Sequence, residues 1–417
     1  MSSGNERSLR EAHAHVFQHG RSLAMVDLAA CGSREQVLEA LAERARSSSM
    51  VLAHGARPEA WEEPKWPGIE QLDRISADRP IVAWCFDYHA LVANRAALVA
   101  AGIDENTPDM PGGIIERDES GKLTGVVFEK AALRVWESVP EPGASERSAM
   151  VAAGVADLVD RHGFVEIHDL KAQAWLGQTL ARVAEDFGGR VRFRIWPLLK
   201  DLPEVLATRS QWESELVSLG GAKVFVDGTL NSRTAWMLHP YADGREAFPC
   251  GTPMMTPDQI EDAVRQCEAS GVPLAAHAIG DAAVRAALDV FERVGTRVPG
   301  YRIEHCELID ETDVPRFARL GVIASVQPCH LLYDIEALRR GLPHRLDRVL
   351  PLRGLIDSGL EPGRGLIFGS DVPIVRANPE DSIRAAIQRR GPVHTPEQAV
   401  GLEQRLTEAE ARACFEA

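Results

Sequence analysis

From about residue 145 onward the chain alternates two hydrophobic patterns. Segments with apolar residues three or four apart, the period of a helix with one buried face, are followed by short runs that are apolar almost throughout. "SERSAMVAAGVADLVDRHG" predicts a helix closed by Gly163, and "FVEIHDL" a strand after it. "TPDQIEDAVRQCEASG" carries its own punctuation: Thr256 as N-cap, Pro257 at the first helical position, Gln259 completing a capping box and Gly271 as terminator, before the run "VPLAAHAIGD". The step recurs as "AAVRAALDVFERVG" leads to "YRIEHCEL", "DETDVPRFARLG" to "VIASVQP", and a further helical stretch to "GLIFGSDVP". Near-continuously apolar strands alternating with helices indicate a parallel sheet covered by helices. "SMVLAHG", "PIVAWCFD", "VRFRIWPLL" and "AKVFVDG" bring the candidate strands to more than eight.

Polar residues sit at the C-terminal ends of these runs: His168 and Asp169, Asp227, His277, His305, Gln327 and Asp371. Barrel enzymes gather their sites at that face, whereas an open doubly wound sheet does so only around a switch point. The expected fold is therefore α/β, a (β/α)8 TIM barrel with an extra strand or two, occupying residues 1–417 as a single domain. Residues 55–70, "GARPEAWEEPKWPGIE", read as a long loop and a candidate lid over the barrel mouth. Near the start, "EAHAHVF" places His13 and His15 on one face of a strand, where two neutral imidazoles suit a shared cation better than two charged ones suit each other. Taken alone, an HxH pair is as compatible with two half-exposed histidines near a frayed end.

Composition narrows the partners. Hydrophobic residues make up 45% of the chain and charged residues 26%, an ordinary globular balance. The formal net charge of -15 disfavours nucleic acid and anionic membrane surfaces, and leaves a small molecule as the expected partner. Seven scattered cysteines without a CxxC pair fit a reducing compartment, and neither a signal core nor an apolar run of membrane-spanning length is present. A soluble, cytoplasmic protein is expected.

In chain order the candidate ligands are His13 and His15, Lys223 in "GGAKVFVDGTLNSRTA", His277 in "AAHAIGD", His305 in "RIEHCEL" and Asp371 in "FGSDVP". At these residues, and through "DYHALVANRAAL" and "YRIEHCELIDETDVPRFARLGVIASVQP", the chain resembles the amidohydrolase superfamily, specifically the amidohydrolase family 3 or YtcJ-like branch. The resemblance implies a metal-dependent hydrolase with one or two divalent ions at the barrel mouth. His13, His15 and Asp371 would hold one ion and His277 and His305 the other, with Lys223 bridging as a carboxylated lysine. Zinc is the first choice for imidazole and carboxylate ligands, with manganese or iron also compatible. The implied reaction is hydrolysis of a C–N bond (amide, N-acyl or cyclic amide) by hydroxide formed at the metal, Asp371 moving the proton from the attacking water to the leaving nitrogen.

Each residue also has a plainer reading. Lys223 could be a surface lysine, although it is one of only six in the chain; His277 and His305 could be hydrogen-bonded core histidines; Asp371 could cap a helix. His89, Asp227 and Arg233 lie in stretches that match the family and are candidate substrate contacts, with a structural salt bridge the alternative for Arg233. His168 and Asp169 are candidate supports for a ligand; His19, His54, His330 and Cys306 are read as structural. Members of the family usually add a small β-sandwich built from both flanks. Only twelve residues precede His13 and 46 follow Asp371, so a barrel without that sandwich is expected, its bare apolar surface favouring a homo-oligomer. The segment "TPEQAVGLEQRLTEAEARACFEA" predicts one or two closing helices. Two other functions stay open: a mononuclear deaminase or ester hydrolase on the same strand ends, and a degenerate barrel that binds metal without chemistry.

Overall fold

The computed structural model describes residues 8–417 apart from 111, 245 and 247. They form two compact units: the chain up to Val16 together with everything from Val155 onward, and the intervening Phe17–Gly154.

The first unit is built on nine short strands. β1 (Leu9–Ala14), β2 (Phe164–Ala172), β3 (Arg192–Pro197) and β4 (Val217–Leu219) form one sheet in that order, all parallel. β5 (Ala222–Phe225), β6 (Leu274–Ala278), β7 (Arg302–His305), β8 (Ile323–Val326) and β9 (Leu366–Phe368) form a second, also parallel and in chain order. Single parallel bridges link the two sheets: Leu198, just after β3, to Lys223 of β5, and Ala14 of β1 to Val372, beyond β9. Every residue of β6, β7 and β9 is buried, as strands covered on both faces must be.

Helices fill the connections where the periodicity places them. Pro257–Ala269 begins with the predicted cap: Thr256 accepts from the Gln259 N–H and the Gln259 side chain returns to the Thr256 N–H. Asp281–Val294 turns Ala283, Val284, Ala287, Leu288 and Phe291 inward. At the far end of the chain a helix, Glu408–Ala413, delivers Phe415 between the rings of Phe164 and Phe368, and Glu416 bridges antiparallel to Leu9 of β1.

One expectation is corrected here: "SMVLAHG" and "PIVAWCFD" are not strands of the first unit's sheets. Both runs lie in the second unit, in a six-stranded sheet ordered Val26–Asp27, Val51–Ala56, Ile81–Cys85, Ala90–Ala93, Leu123–Glu129 and Gly113–Arg117. Its first three strands are parallel and the rest antiparallel. The physical reason is that this sheet also carries a core on each face. Ile81 and Ala83 join Val51, Ala53 and Val92 on one side, while Val82 and Trp84 join Leu91, Ile115 and Val127 on the other. A strand buried on both faces is continuously apolar whichever sheet it belongs to. The proposed lid is likewise anchored in this unit: Trp61 is buried in its core and its indole N–H donates to the Cys31 carbonyl at 2.8 Å.

Candidate metal centre

The ends of β1, β6, β7 and β9 converge. His13 closes toward the end of β1 and His15 follows it; His305 ends β7; Asp371 stands three residues beyond β9, where its backbone N–H donates to the His13 carbonyl at 2.7 Å. That approach requires Gly369, since a Cβ there would sit 2.5 Å from the His13 nitrogen. His305 (φ 73°) and Asp371 (φ 66°) both hold left-handed backbone, a strain that rigid neighbours maintain and that turns each side chain away from the direction of its strand.

His13, His15 and Asp371 each offer a ligand atom within 4.8 Å of the others. The nitrogens are assigned by their partners. His13 Nδ1 lies 2.6 Å from Glu304 Oε2, and an ionised carboxylate only accepts, so Nδ1 carries the proton and Nε2 a free lone pair. That Nε2 is 3.4 Å from Asp371 Oδ1, and His15 Nε2 is 2.9 Å from the same oxygen. Asp371 Oδ1, His15 Nδ1 and His305 Nδ1 are nonetheless buried without a hydrogen bond of good geometry. His277 Nε2 donates to the Gly228 carbonyl at 3.1 Å, which leaves its Nδ1 as an acceptor, and its ring centroid is 4.4 Å from that of His305. Buried polar atoms without partners are costly, and a cation held among these side chains would offset part of that cost. The donor set, neutral imidazoles with one carboxylate, fits a divalent metal.

Electrostatics agree. Burial pushes His13 down to about 4 and His277 to about 3, with Lys223 adding to both, and takes His305 well below its ordinary value. His13, His277 and His305 are therefore neutral at pH 7, as ligands must be. Burial opposes ionisation of Asp371, but His13, His15 and His330 outweigh it and hold the carboxyl well below its usual range. Lys223, second residue of β5 and 1% exposed, is lowered to about 8, chiefly by burial and further by Arg302 and Lys171, against the pull of Glu304 and Asp371. A buried amine with an accessible neutral form is the state that could take up carbon dioxide.

Three sequence candidates stand differently. His89 belongs to the second unit, where its Nδ1 faces Glu129 Oε2 at 2.9 Å. Asp227 is fully buried and accepts the backbone N–H groups of Trp236, Ile279 and Gly280, so its oxygens are engaged in holding the turn into the helix Asp281–Val294. Arg233 forks onto Asp243 at 2.8 and 2.6 Å and also donates to the Leu230 and Asn231 carbonyls, the salt-bridge alternative.

Other residues enter that the sequence reading passed over. Glu304 orients His13 and is itself gripped by Arg302, whose guanidinium also reaches His168 Nδ1, the Ala12 carbonyl and Ser325 Oγ. His330, read as structural, groups with His305 and Asp371, and again with Glu307 and Asp334, each set within 4.8 Å. The visible signal for Glu304 was its place beside His305 in "RIEHCEL"; that for His330 was its place just after the β8 run.

Comparison with known proteins places the chain among known relatives. YtcJ of Bacillus subtilis (strain 168) is 28% identical over 391 residues, covering 91% of this chain and 72% of that protein. The N-substituted formamide deformylase of Arthrobacter pascens is 26% identical over 366 residues, covering 82% of this chain and 66% of that one. The crystal structure of an uncharacterized metal-dependent hydrolase from Pyrococcus horikoshii OT3 shares the fold, with a TM-score of 0.76 at 24% identity over 97% of this chain and 78% of that chain. The model of the amidohydrolase family matches residues 9–416, from the strand that carries His13 to the segment that closes beside it, and this chain belongs to the amidohydrolase family.

Proposed function

We propose that this protein is a metal-dependent hydrolase that cleaves a C–N bond, in an amide, N-acyl or cyclic amide, of a small molecule. The observation that carries the reading is the convergence of His13, His15 and Asp371, with Asp371 Oδ1 and His15 Nδ1 buried without a hydrogen-bond partner. The deformylase similarity supports the N-acyl class, since its name describes removal of a formyl group from nitrogen. His13, His15 and Asp371 would hold one ion, and His277, His305 and a carboxylated Lys223 a second, with zinc the first choice and manganese or iron compatible. When bound, a divalent ion there supplies Lewis-acid polarisation of a carbonyl and lowers the pKa of water.

The protein's own part is positioning and proton transfer. Glu304 fixes the His13 tautomer, and Asp371, kept ionised, is the base that accepts a proton from the attacking water and returns it to the leaving nitrogen. The paired bridges Leu198–Lys223 and Ala14–Val372 support closure of β1, β2, β3, β5, β6, β7, β8 and β9 into an eight-stranded barrel with its site at the C-terminal face. Seven free cysteines support a cytoplasmic location, and among the described residues no helix is long and apolar enough to cross a membrane.

The test is metal content by plasma mass spectrometry, followed by turnover of a panel of N-formyl, N-acyl and cyclic amide substrates by wild type and Asp371→Asn. About two ions per chain and turnover lost in the variant support the binuclear hydrolase. One ion with an unmodified Lys223 amine moves the reading to a mononuclear deaminase or ester hydrolase, and metal without turnover to a binding barrel.

A further inference from the structure

His330 sits in the short turn Pro328–His330 after β8 and is 8% exposed. Its Nδ1 lies 3.5 Å from Glu307 Oε1, and its Nε2 lies 3.8 Å from Asp371 Oδ2 and is buried without a hydrogen-bond partner. The ring is 6.0 Å from that of His305, and His305, His330 and Asp371 together present three ligand atoms within 4.8 Å. Asp334, on the turn of helix that follows, completes the surroundings and is fixed by Asn231 Nδ2 at 2.6 Å. We infer that His330 is a further metal ligand of this centre, held by Glu307 and presenting Nε2 to an ion shared with His305 and Asp371.

The inference rests on the metal-dependent reading above and extends its ligand set. A carboxylate beside Nδ1 favours the proton on that nitrogen and frees the Nε2 lone pair, the same arrangement in which Glu304 holds His13. Three carboxylates, Glu307, Asp334 and Asp371, surround the ring and draw positive charge to it. A proton would answer that charge, but at 3.8 Å no hydrogen bond to Asp371 forms, and the buried His305 Nδ1 would still lack a partner. A cation at Nε2 meets the carboxylate charge and both orphaned imidazoles at once.

The probe is cobalt(II), whose visible spectrum reports the number and type of its ligands, with zinc affinity measured by chelator competition. Wild type, His330→Gln, Glu307→Gln and His13→Gln are compared, with circular dichroism showing that each is folded. The expected result is that His330→Gln changes the cobalt bands and weakens one ion by tenfold or more, while Glu307→Gln, which keeps the imidazole and loosens its support, weakens the same ion less. An unchanged spectrum and unchanged zinc affinity in His330→Gln overturn the inference and leave His330 holding a proton. If wild type takes up no metal, or His13→Gln binds as wild type does, the metal-dependent function falls and this inference with it. If those controls lose metal and His330→Gln does not, only the role of His330 falls.

Discussion

Arg302 is charged, 2% exposed, and surrounded by partners: Glu304 through two nitrogens, His168 Nδ1 at 3.1 Å, the Ala12 carbonyl at 2.6 Å and Ser325 Oγ at 2.7 Å. It joins β1, β2, β7 and β8 through these contacts. Removing one member of a buried pair strands the other's charge, so Arg302→Met is expected to cost about 3–5 kcal/mol in denaturant unfolding. Metal affinity should fall with it, because Glu304 then no longer holds His13; Arg302→Lys, with charge but no fork, should recover stability more than affinity. Asp227 gives a contrasting case. Asp227→Ala leaves three backbone N–H groups without an acceptor and is expected to lose about 2–4 kcal/mol of stability, with KM for a turned-over substrate unchanged. A raised KM at full stability would return Asp227 to substrate contact. The grouping of His13 and His15 with Asp371 was open to expectation from the sequence because ligand chemistry restricts residue choice. Glu304 and Arg302 were not, because a side chain that supports a ligand is recognised only by what it touches, and His330 was not, because its neighbours Glu307 and Asp371 lie on other strands' ends.

Among the elements, helices were the most legible, for their signals are local. The cap at Thr256 and the stop at Gly271 appear where the residues predict them. The strands were found but misassigned: Val51–Ala56 and Ile81–Cys85 are as apolar as β6, and nothing within five or six residues names the neighbour they pair with. One or two helices were expected to close the barrel; the structure has the helix Glu408–Ala413, followed by Phe415 lodged between Phe164 and Phe368. Phe415→Ala should therefore cost about 3–5 kcal/mol, measured by thermal or denaturant unfolding, since the ring is 1% exposed and the strands around it cannot collapse into the space. An effect below 1 kcal/mol would mean that the closing segment is dispensable to the sheet it covers.

For the molecule as a whole, several buried histidines make an acid-labile protein once metal is removed. Burial lowers His13 to about 4 and His168 and His277 to about 3, against 6.5 in an open chain. Below 6.5 the unfolded chain takes up protons that the folded one refuses, so the stability these groups contribute is present above 6.5 and is lost as pH falls toward their folded values. Each such group gives a slope of up to about 1.4 kcal/mol per pH unit. The buried carboxyls Glu11 and Asp227, which burial raises to about 7, oppose this trend, so urea unfolding of chelator-treated protein between pH 7 and 5 is best read by difference: His168→Asn should flatten the rise of stability with pH by up to about one proton relative to wild type. The same slope in His168→Asn as in wild type would mean that this ring is open to water.

By itself, the sequence determined the cap at Thr256, the stop at Gly271 and the alternation that requires covered parallel strands, and it offered the candidate ligands, because capping, hydrophobic period and ligand chemistry are properties of short segments. Tertiary structure alone decided that residues 17–154 form a separate unit with cores on both faces of its own sheet, that Asp227 and Arg233 are engaged in local structure, and that Glu304, Arg302 and His330 stand against the ligands. These outcomes depend on contacts between residues up to hundreds of positions apart, such as His13 with Glu304, and the local pattern at either end carries no record of its partner.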